Sequence, residues 1–278
     1  MTIMPERMPV PAVMGVINAT PDSFSDGGRF NAPERALAQA RAMVEVGVDW
    51  VDVGGESTRP GAEPVPLQEE LDRVCPVIEA IRRELDIPVS LDTSAPEVMR
   101  EGARLGIRMI NDVRSLEREG AVAAARDVNL PVCIMHRQGE PDTMQDHPEY
   151  RDVLQEVLAY LDRRARELEA AGIPAANLLY DPGFGFGKTL EHNLTLLENL
   201  DAVVGRGWPV LVGMSRKSMI GGVTGRPVEE RMPGSVAAAT VAMMKGTAIV
   251  RVHDVPETVD AARLVRAMRG QGRPGDSR

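Results

Sequence analysis

Short apolar runs rich in β-branched residues recur along the chain, and they alternate with segments whose apolar residues follow a helical period. The runs lie at residues 13–18, 50–55, 88–93, 109–113, 131–136, 178–183, 210–215 and 249–254. Continuous apolar runs of this length are typical of strands buried on both faces of a parallel sheet. The pattern therefore predicts eight strands joined by helical crossovers.

The helical period is clearest in two of the intervening segments. Apolar residues spaced three or four positions apart are Leu67, Leu71, Val74, Ile78, Ile81 and Leu85 in the first and Leu154, Val157, Leu161, Ala165 and Leu168 in the second. Asn31, with Pro33 two positions later, predicts the start of another helix. Eight strand and helix repeats in about 250 residues favour an α/β fold, a closed (β/α)₈ TIM barrel, with an open doubly wound sheet as the alternative.

The domain organisation follows from the same pattern. No Pro-, Gly- or Ser-rich linker divides the chain. We therefore expect a single domain over residues 1–278, with a core at about 13–268 and a frayed tail at 269–278.

Polar side chains stand at the carboxyl end of each predicted strand. They are Asn18, Glu56 to Arg59, Asp92, Asn111, His136, Asp181, Ser215, Lys217, Arg251 and His253. One such residue has an ordinary explanation, since Asp92 is also a candidate cap for a helix starting near Pro96. In a parallel barrel, however, all these strand ends meet at one rim, so the set predicts a functional site there.

The predicted rim combines two chemistries. Asp92, Asn111 and Asp181 are suited to a heterocycle that presents several N–H donors. The basic residues, which suit phosphate groups, are Arg59, Arg216, Lys217, Arg251 and His253. The residues alone thus predict an enzyme acting on a phosphorylated or pyrophosphorylated ring compound.

The long loops 18–31 and 54–66 are either lids over this site or ordinary surface loops.

Composition limits the classes of binding partner and the cellular compartment that we expect for the protein. A net charge of −9, from 32 basic and 41 acidic residues, argues against binding to nucleic acid or anionic membranes. Cys75 and Cys133 have no metal-binding spacing and predict buried thiols in a reducing compartment. The N-terminus lacks a signal-peptide pattern, and no segment has the ~18 apolar residues of a membrane span. We expect a cytoplasmic protein.

The glycine-rich segment "DPGFGFGKT" (181–189) fits neither familiar nucleotide loop. The G-x-x-x-x-G-K-[ST] phosphate loop needs glycine where Pro182 stands, and the dinucleotide loop needs glycine where Lys188 stands. The segment therefore needs another explanation.

Eight segments of the chain together resemble one family. They are "MGVINATPDSFSDGG", "DVGGESTRPGA", "VSLDTSAPEV", "INDVRSL", "CIMHRQGEPDTMQ", "DPGFGFGKTLEHN", "VGMSRKSMIG" and "IVRVHDV". In order and spacing, over residues 13 to about 268, they are similar to the dihydropteroate synthases. Enzymes of this family join 6-hydroxymethyl-7,8-dihydropterin pyrophosphate to p-aminobenzoate and release pyrophosphate. The resemblance implies a (β/α)₈ barrel, a homodimer and use of Mg²⁺.

The resemblance also implies roles for individual residues. Pterin binding falls on Asp92, Asn111, Asp181 and Lys217, with Met135 as an apolar wall. Pyrophosphate binding falls on Asn18, which also holds Mg²⁺, and on Arg251 and His253. The p-aminobenzoate contacts fall on Phe24, Thr58, Arg59, Pro60, Phe186 and Ser215. The catalytic set is Asp92, Asp181, Lys217, Arg251 and His253. Lys188 and Thr189 are expected only to begin the next helix.

Two other functions are weighed against this one. A corrinoid-dependent methyltransferase barrel binds a related pterin, but it has no need of Lys217, Arg251 and His253 to meet a pyrophosphate. A non-catalytic pterin-binding paralogue is expected to have lost the first two loops or the Arg-x-His pair. Both features are present in the sequence.

Overall fold

The computed structural model of the chain describes residues 9–20, 32–56, 65–139 and 148–271. All eight predicted strands are present and parallel. They are β1 (Ala12–Asn18), β2 (Trp50–Gly54), β3 (Val89–Asp92), β4 (Met109–Asp112), β5 (Val132–Met135), β6 (Leu178–Asp181), β7 (Leu211–Val212) and β8 (Ile249–Val252). The predicted run at 210–215 yields the shortest strand, because only two of its residues pair with β8.

The sheet closes into a barrel, which excludes the open doubly wound alternative. Its strands follow the order β6-β5-β4-β3-β2-β1-β8-β7. An isolated parallel bridge between Tyr180 and Val210 then joins β6 to the chain just before β7. The expectation of a (β/α)₈ barrel is confirmed.

Helices cover the outside of the barrel. They are α1 (Ala32–Val46), α2 (Leu67–Glu84), α3 (Pro96–Arg104), α4 (Ala121–Val128), α5 (Val153–Ala170), α6 (Leu190–Glu198), α7 (Leu200–Val204), α8 (Ser218–Thr224), α9 (Met232–Met244) and α10 (Val255–Met268). The two periodic segments of the sequence correspond to α2 and α5. The predicted helix start at Asn31 lies outside the described residues, and α1 is described from Ala32. Within the described ranges, no helix is both long and apolar enough to cross a membrane.

The core has two parts because alternate residues of each strand face opposite sides of the sheet. A large cluster fills the space between strands and helices. A second cluster plugs the barrel interior and consists of Ala12, Met14, Trp50, Met109, Cys133, Leu179, Leu211, Ala248 and Ile249.

The interior plug determines which residues form the layer above it. Two positions further along the strands, on the same interior face, stand Asp52, Asn111, Met135, Asp181 and Arg251. The change from apolar to polar side chains thus occurs within one step of the strand period. It places a polar floor at the carboxyl end of the barrel, directly above an apolar plug.

Candidate active site

Two buried carboxylates hold Arg251 in the floor of the rim. The Arg251 Nε donates to Asp52 Oδ2 at 2.6 Å, and its Nη2 donates to Asp92 Oδ2 at 3.0 Å. Asn111 Nδ2 donates to the same Asp52 oxygen at 3.2 Å. The cluster joins β2, β3, β4 and β8, so Asp92, Asn111 and Arg251, predicted separately from three strand ends, meet in one place around Asp52 of β2.

Asp92 does not cap the helix that follows β3. Helix α3 has Ala95 at its N-cap without a side-chain cap, and the Ala95 N–H donates to Thr93 Oγ1. Burial raises the pKa of Asp92 to about 7, against the opposing effect of Arg251. The capping explanation is therefore wrong, and Asp92 is a carboxyl group that gives up its proton reluctantly in the ligand-free barrel.

Asp181 and Lys217 lie on the opposite side of the rim floor. Asp181 is buried, and its Oδ1 accepts the N–H of Gly183 at 2.7 Å. Burial raises its pKa, with Lys217 as the largest opposing charge. Burial also lowers the pKa of Lys217 to about 8, while Asp181 acts to raise it. The two charges at the rim thus act on each other electrostatically, while the Lys217 ammonium itself donates to the Phe184 carbonyl oxygen.

Three glycines of the segment 183–187 have left-handed backbone conformations with φ between +61° and +79°. A Cβ at Gly183 would lie 1.8 Å from the carbonyl oxygen of His136, and one at Gly187 would lie 2.2 Å from that of Gln138. The loop therefore passes in direct contact with the backbone that follows β5. The glycines serve this close passage as well as the turn itself.

Lys188 is buried beneath this loop, although its sequence position predicts only a helix start. Its Nζ lies 3.0 Å from His136 Nδ1, 2.9 Å from the Gly183 carbonyl oxygen and 3.1 Å from that of Phe186. Burial lowers its pKa to about 7. The helix start itself is provided by Thr189, which forms a capping box with His192.

His136, another polar strand end of the sequence, is also buried under the loop. Burial and the adjacent Lys188 lower its pKa to about 3. Its ring packs edge-on against Tyr160, with centroids 5.1 Å apart. His136 is thus a neutral acceptor for Lys188 and a poor candidate for proton transfer at neutral pH.

The side expected to bind phosphate is formed by the end of β8 and its neighbours. His253 is exposed, and its Nδ1 lies 3.1 Å from Ser215 Oγ, which also accepts the His253 N–H. Asn18 ends the adjacent strand β1 and is half-buried. Arg216 does not join this group, because its guanidinium binds both carboxylate oxygens of Asp254.

The side expected to bind p-aminobenzoate is described only in part. Lys217 Nζ lies over the Phe186 ring, 4.5 Å from its centroid, and donates to the Phe184 carbonyl oxygen at 2.5 Å. The buried Ser215 hydroxyl adjoins His253. The remaining predicted contacts lie outside the described residues; they are Phe24, Thr58, Arg59 and Pro60.

Sequence reasoning missed Asp52 because it was directed at strand ends. Asp52 lies in the middle of β2 and is fully buried. The signal was available, since an aspartate inside the run "WVDVG" interrupts an otherwise apolar strand and such a buried charge needs a partner. Met135 is buried at the end of β5, where its register partner is Asp181.

Metal binding by protein side chains alone has little support here. In the part of the chain that the structure describes, no three His, Cys, Asp or Glu side chains are grouped closely enough to hold an ion. The single metal contact that the resemblance implies, Asn18, is the last residue of β1.

Comparisons with known proteins identify the family of the chain. Residues 14–253 match the model of the pterin-binding enzyme family. The chain is similar to the dihydropteroate synthase of Haemophilus influenzae, with 51% identity over 258 residues that cover 93% of this chain and 94% of the relative.

Solved structures give the same result. A Yersinia pestis dihydropteroate synthase in a sulfonamide drug complex has a TM-score of 0.90 at 49% identity, covering 94% of this chain and 95% of that one. A Xanthomonas albilineans dihydropteroate synthase with 4-aminobenzoic acid has a TM-score of 0.88 at 48% identity, covering 94% and 93%. Extensive identity, the matching barrel and the polar rim together show that this chain belongs to the dihydropteroate synthase family of pterin-binding enzymes.

Proposed function

We propose that the chain is a transferase that condenses 6-hydroxymethyl-7,8-dihydropterin pyrophosphate with p-aminobenzoate, giving 7,8-dihydropteroate and pyrophosphate for folate synthesis. The observation that carries this proposal is the polar rim floor. Acceptors for a heterocycle and cations for a phosphate meet there above an apolar plug. A single substrate that contains both a pterin and a pyrophosphate uses both sets.

The pterin edge is bound by the buried carboxylates and amide. Asp92 and Asp181 present acceptors to the ring N–H groups, and Asn111 supplies an amide beside them. Lys217 donates to the pterin carbonyl and ring nitrogen, and Met135 forms an apolar wall. The ammonium of Lys217 now donates to the Phe184 carbonyl, so pterin binding exchanges one acceptor for another.

The pyrophosphate is bound on the side of Arg251 and His253. Arg251 is positioned by Asp52 and Asp92, so it connects the pterin and phosphate sides of the substrate. Asn18 would hold Mg²⁺, a fit supported by its hard amide oxygen and by the ion's preference for few protein ligands plus substrate phosphates. Bound there, Mg²⁺ would neutralise negative charge on the departing pyrophosphate.

The reaction is a substitution in which C–O cleavage runs ahead of C–N formation. The C–O bond breaks with its electron pair going to pyrophosphate, where Arg251 and His253 stabilise the charge. The negative Asp92 and Asp181 stabilise the electron-poor carbon attached to the dihydropterin. The amine nitrogen then bonds to that carbon and loses a proton to solvent. No histidine or carboxylate is among the predicted aminobenzoate contacts.

The p-aminobenzoate ring packs against Phe186, beside Ser215. We assign its further contacts to Phe24, Thr58, Arg59 and Pro60 from the family resemblance. Sulfonamides resemble this substrate in shape, so the same side of the rim is their binding site.

Neither alternative function accounts for the rim as well. A methyltransferase barrel binds a pterin that carries no pyrophosphate. It therefore does not explain why Lys217, Arg251 and His253 occur together at the rim. A non-catalytic paralogue has no need of the Arg251 and His253 pair, which this chain retains.

We also propose a homodimer in a reducing, cytoplasmic environment. Helices α9 and α10 pack together and expose Val241, Met244, Leu264 and Met268. Exposed apolar side chains grouped in this way favour an interface. Both cysteines are free thiols, which favours a reducing compartment. Sedimentation of the wild type and a Leu264→Glu variant tests the interface, and a monomeric wild type contradicts it.

Calorimetry with the pterin alcohol tests the assignment of the pterin side. Lys217→Met is expected to lower affinity about ten- to a hundred-fold, the value of a hydrogen bond to a charged group. Lys245→Met is the matched control, since Lys245 binds Glu198 and Asp201 away from the rim. Equal affinities for the two variants would refute the assignment.

A further inference from the structure

Lys188 is more than the start of a helix. Thr189 and His192 already cap α6 through their side chains, so the helix does not need the lysine. The Lys188 side chain is instead 3% exposed, and burying an ammonium is costly unless its hydrogen bonds are made. The cost of burying the Lys188 ammonium indicates that this residue has a role other than starting α6.

The Lys188 ammonium organises the loop that follows β6. It lies within hydrogen-bond distance of the carbonyl oxygens of Gly183 and Phe186, on either side of Phe184. It also reaches the carbonyl oxygen of His136 at 3.3 Å and the His136 Nδ1 at 3.0 Å. One cation thus joins the loop to the end of β5.

The opposite face of the same loop meets Lys217. The Phe184 carbonyl accepts the Lys217 ammonium, and the Phe186 ring lies beneath it. Two lysines therefore contact the loop, with Lys188 on its buried side and Lys217 on its rim side. Any shift of residues 183–186 moves a rim acceptor and an aromatic wall together.

Two neutral side chains also hydrogen-bond to the loop of residues 183–187, but they contact other backbone groups than the Lys188 ammonium does. Asn193 Oδ1 accepts the Gly185 N–H at 2.7 Å, and the Tyr150 hydroxyl donates to the Gly187 carbonyl at 2.8 Å. The carbonyls of Gly183 and Phe186 point instead toward Lys188. The Gly183 carbonyl also accepts the Phe186 N–H at 3.1 Å, so without Lys188 the turn keeps this backbone bond but loses its link to the Phe186 carbonyl and to the end of β5.

We propose that Lys188 is a positioning residue for p-aminobenzoate, acting by holding the turn of residues 183–186 that carries the Phe186 ring at the rim. It does not touch substrate. The inference rests on the proposed function through the assignment of Phe186 to the aminobenzoate side. Lys188 is therefore expected to affect the binding of p-aminobenzoate more than the binding of the pterin pyrophosphate.

Nuclear magnetic resonance of labelled phenylalanine tests the positioning directly. The chain has four phenylalanines, so ring-labelled protein gives few signals, assigned by single Phe→Leu variants. Lys188→Met is expected to shift the signals of Phe184 and Phe186, and Lys245→Met to leave all four unchanged. Unmoved Phe184 and Phe186 signals in folded Lys188→Met overturn the proposal.

Steady-state kinetics separates positioning from general loss of stability. Lys188→Met is expected to raise the KM for p-aminobenzoate about tenfold, as displacement of a contact by a fraction of an ångström does. The KM for the pterin pyrophosphate should stay within about twofold. A lower melting temperature with both KM values unchanged, or equal changes in both, overturns the proposal.

Two further variants keep the test decisive. If Lys188→Met does not fold, Lys188→Arg takes its place, because a planar guanidinium cannot meet acceptors arranged around one atom and should produce the same selective shifts. Phe186→Ala tests the underlying assignment independently. If it leaves the KM for p-aminobenzoate unchanged, the assignment of Phe186 fails, whereas the signals of Lys188→Met still decide the positioning.

Discussion

Replacing Asp92 with asparagine is expected to stabilise the ligand-free barrel more at pH 8 than at pH 5. Burial raises the pKa of Asp92 from its ordinary value of 3.8 to about 7. Between these values the folded state binds the proton more tightly than the unfolded state does. Stability therefore falls as pH rises through this window, and the full cost applies above pH 7.

The size of the effect follows from the two pKa values. Their separation corresponds to about 4 kcal/mol when the carboxyl is fully ionised. Part of this cost is already present at pH 5, so the change between pH 5 and pH 8 is about 3 kcal/mol. For a chain of this length that is roughly 5–10 °C in Tm. Asparagine has nearly the same shape and still offers an oxygen to Arg251, which keeps its bond to Asp52.

The assay is thermal unfolding of the wild type and Asp92→Asn across this pH range without ligands. The difference in Tm between the two proteins should grow in favour of the variant as pH rises. Asp260→Asn is the matched control, because the Asp260 carboxylate is exposed on α10. The stabilised Asp92→Asn protein should also lose turnover.

Parallel Tm curves for wild type and Asp92→Asn would refute this reasoning. They would show that Arg251 offsets the burial of Asp92 completely. The rim floor would then hold its carboxylates without cost before substrate binds.

The rim leads to four other predictions. His253→Ala should weaken binding of the pterin pyrophosphate about tenfold or more and leave the pterin alcohol nearly unchanged; calorimetry with both ligands decides, and equal losses contradict the phosphate assignment. Arg251→Ala should weaken both ligands, because it leaves Asp52 and Asp92 without their cation. A sulfonamide should bind more tightly when Mg²⁺ and pyrophosphate are present, each ligand raising the other's affinity by the same factor; a titration with unchanged affinity excludes this linkage. Single-turnover rates with ring-substituted aminobenzoates should depend little on amine pKa, and a steep rise with basicity would show that the amine drives cleavage.

The strands and the polar rim were predictable because both depend on local periodicity. Apolar runs of fixed length identify buried parallel strands, and barrel geometry alone places their carboxyl ends together. Asp92, Asn111 and Asp181 were found by this rule. Asp52 was missed because it lies inside a strand and not at its end. The interrupted apolar run signals a buried charge, but its partner Arg251, 199 positions away in the chain, comes within 2.6 Å only through closure of the barrel.

The errors have a common physical cause. Arg216 adjoins Lys217 in sequence, but its positive φ of 60° accompanies a side chain that pairs with Asp254 instead of the phosphate side. Lys188 adjoins a helix cap, yet its side chain runs beneath the loop to His136. In both cases the backbone conformation of a loop, which periodicity does not encode, decides where a long side chain ends.

The most direct test of the account is product formation by the purified chain. The protein is incubated with 6-hydroxymethyl-7,8-dihydropterin pyrophosphate, p-aminobenzoate and Mg²⁺, and both products are quantified by chromatography. We expect 7,8-dihydropteroate and pyrophosphate in equal amounts, formed only when both substrates are present and strongly reduced by Lys217→Met. Tight binding of the pterin without any dihydropteroate would contradict it and identify the chain as a non-catalytic pterin-binding protein.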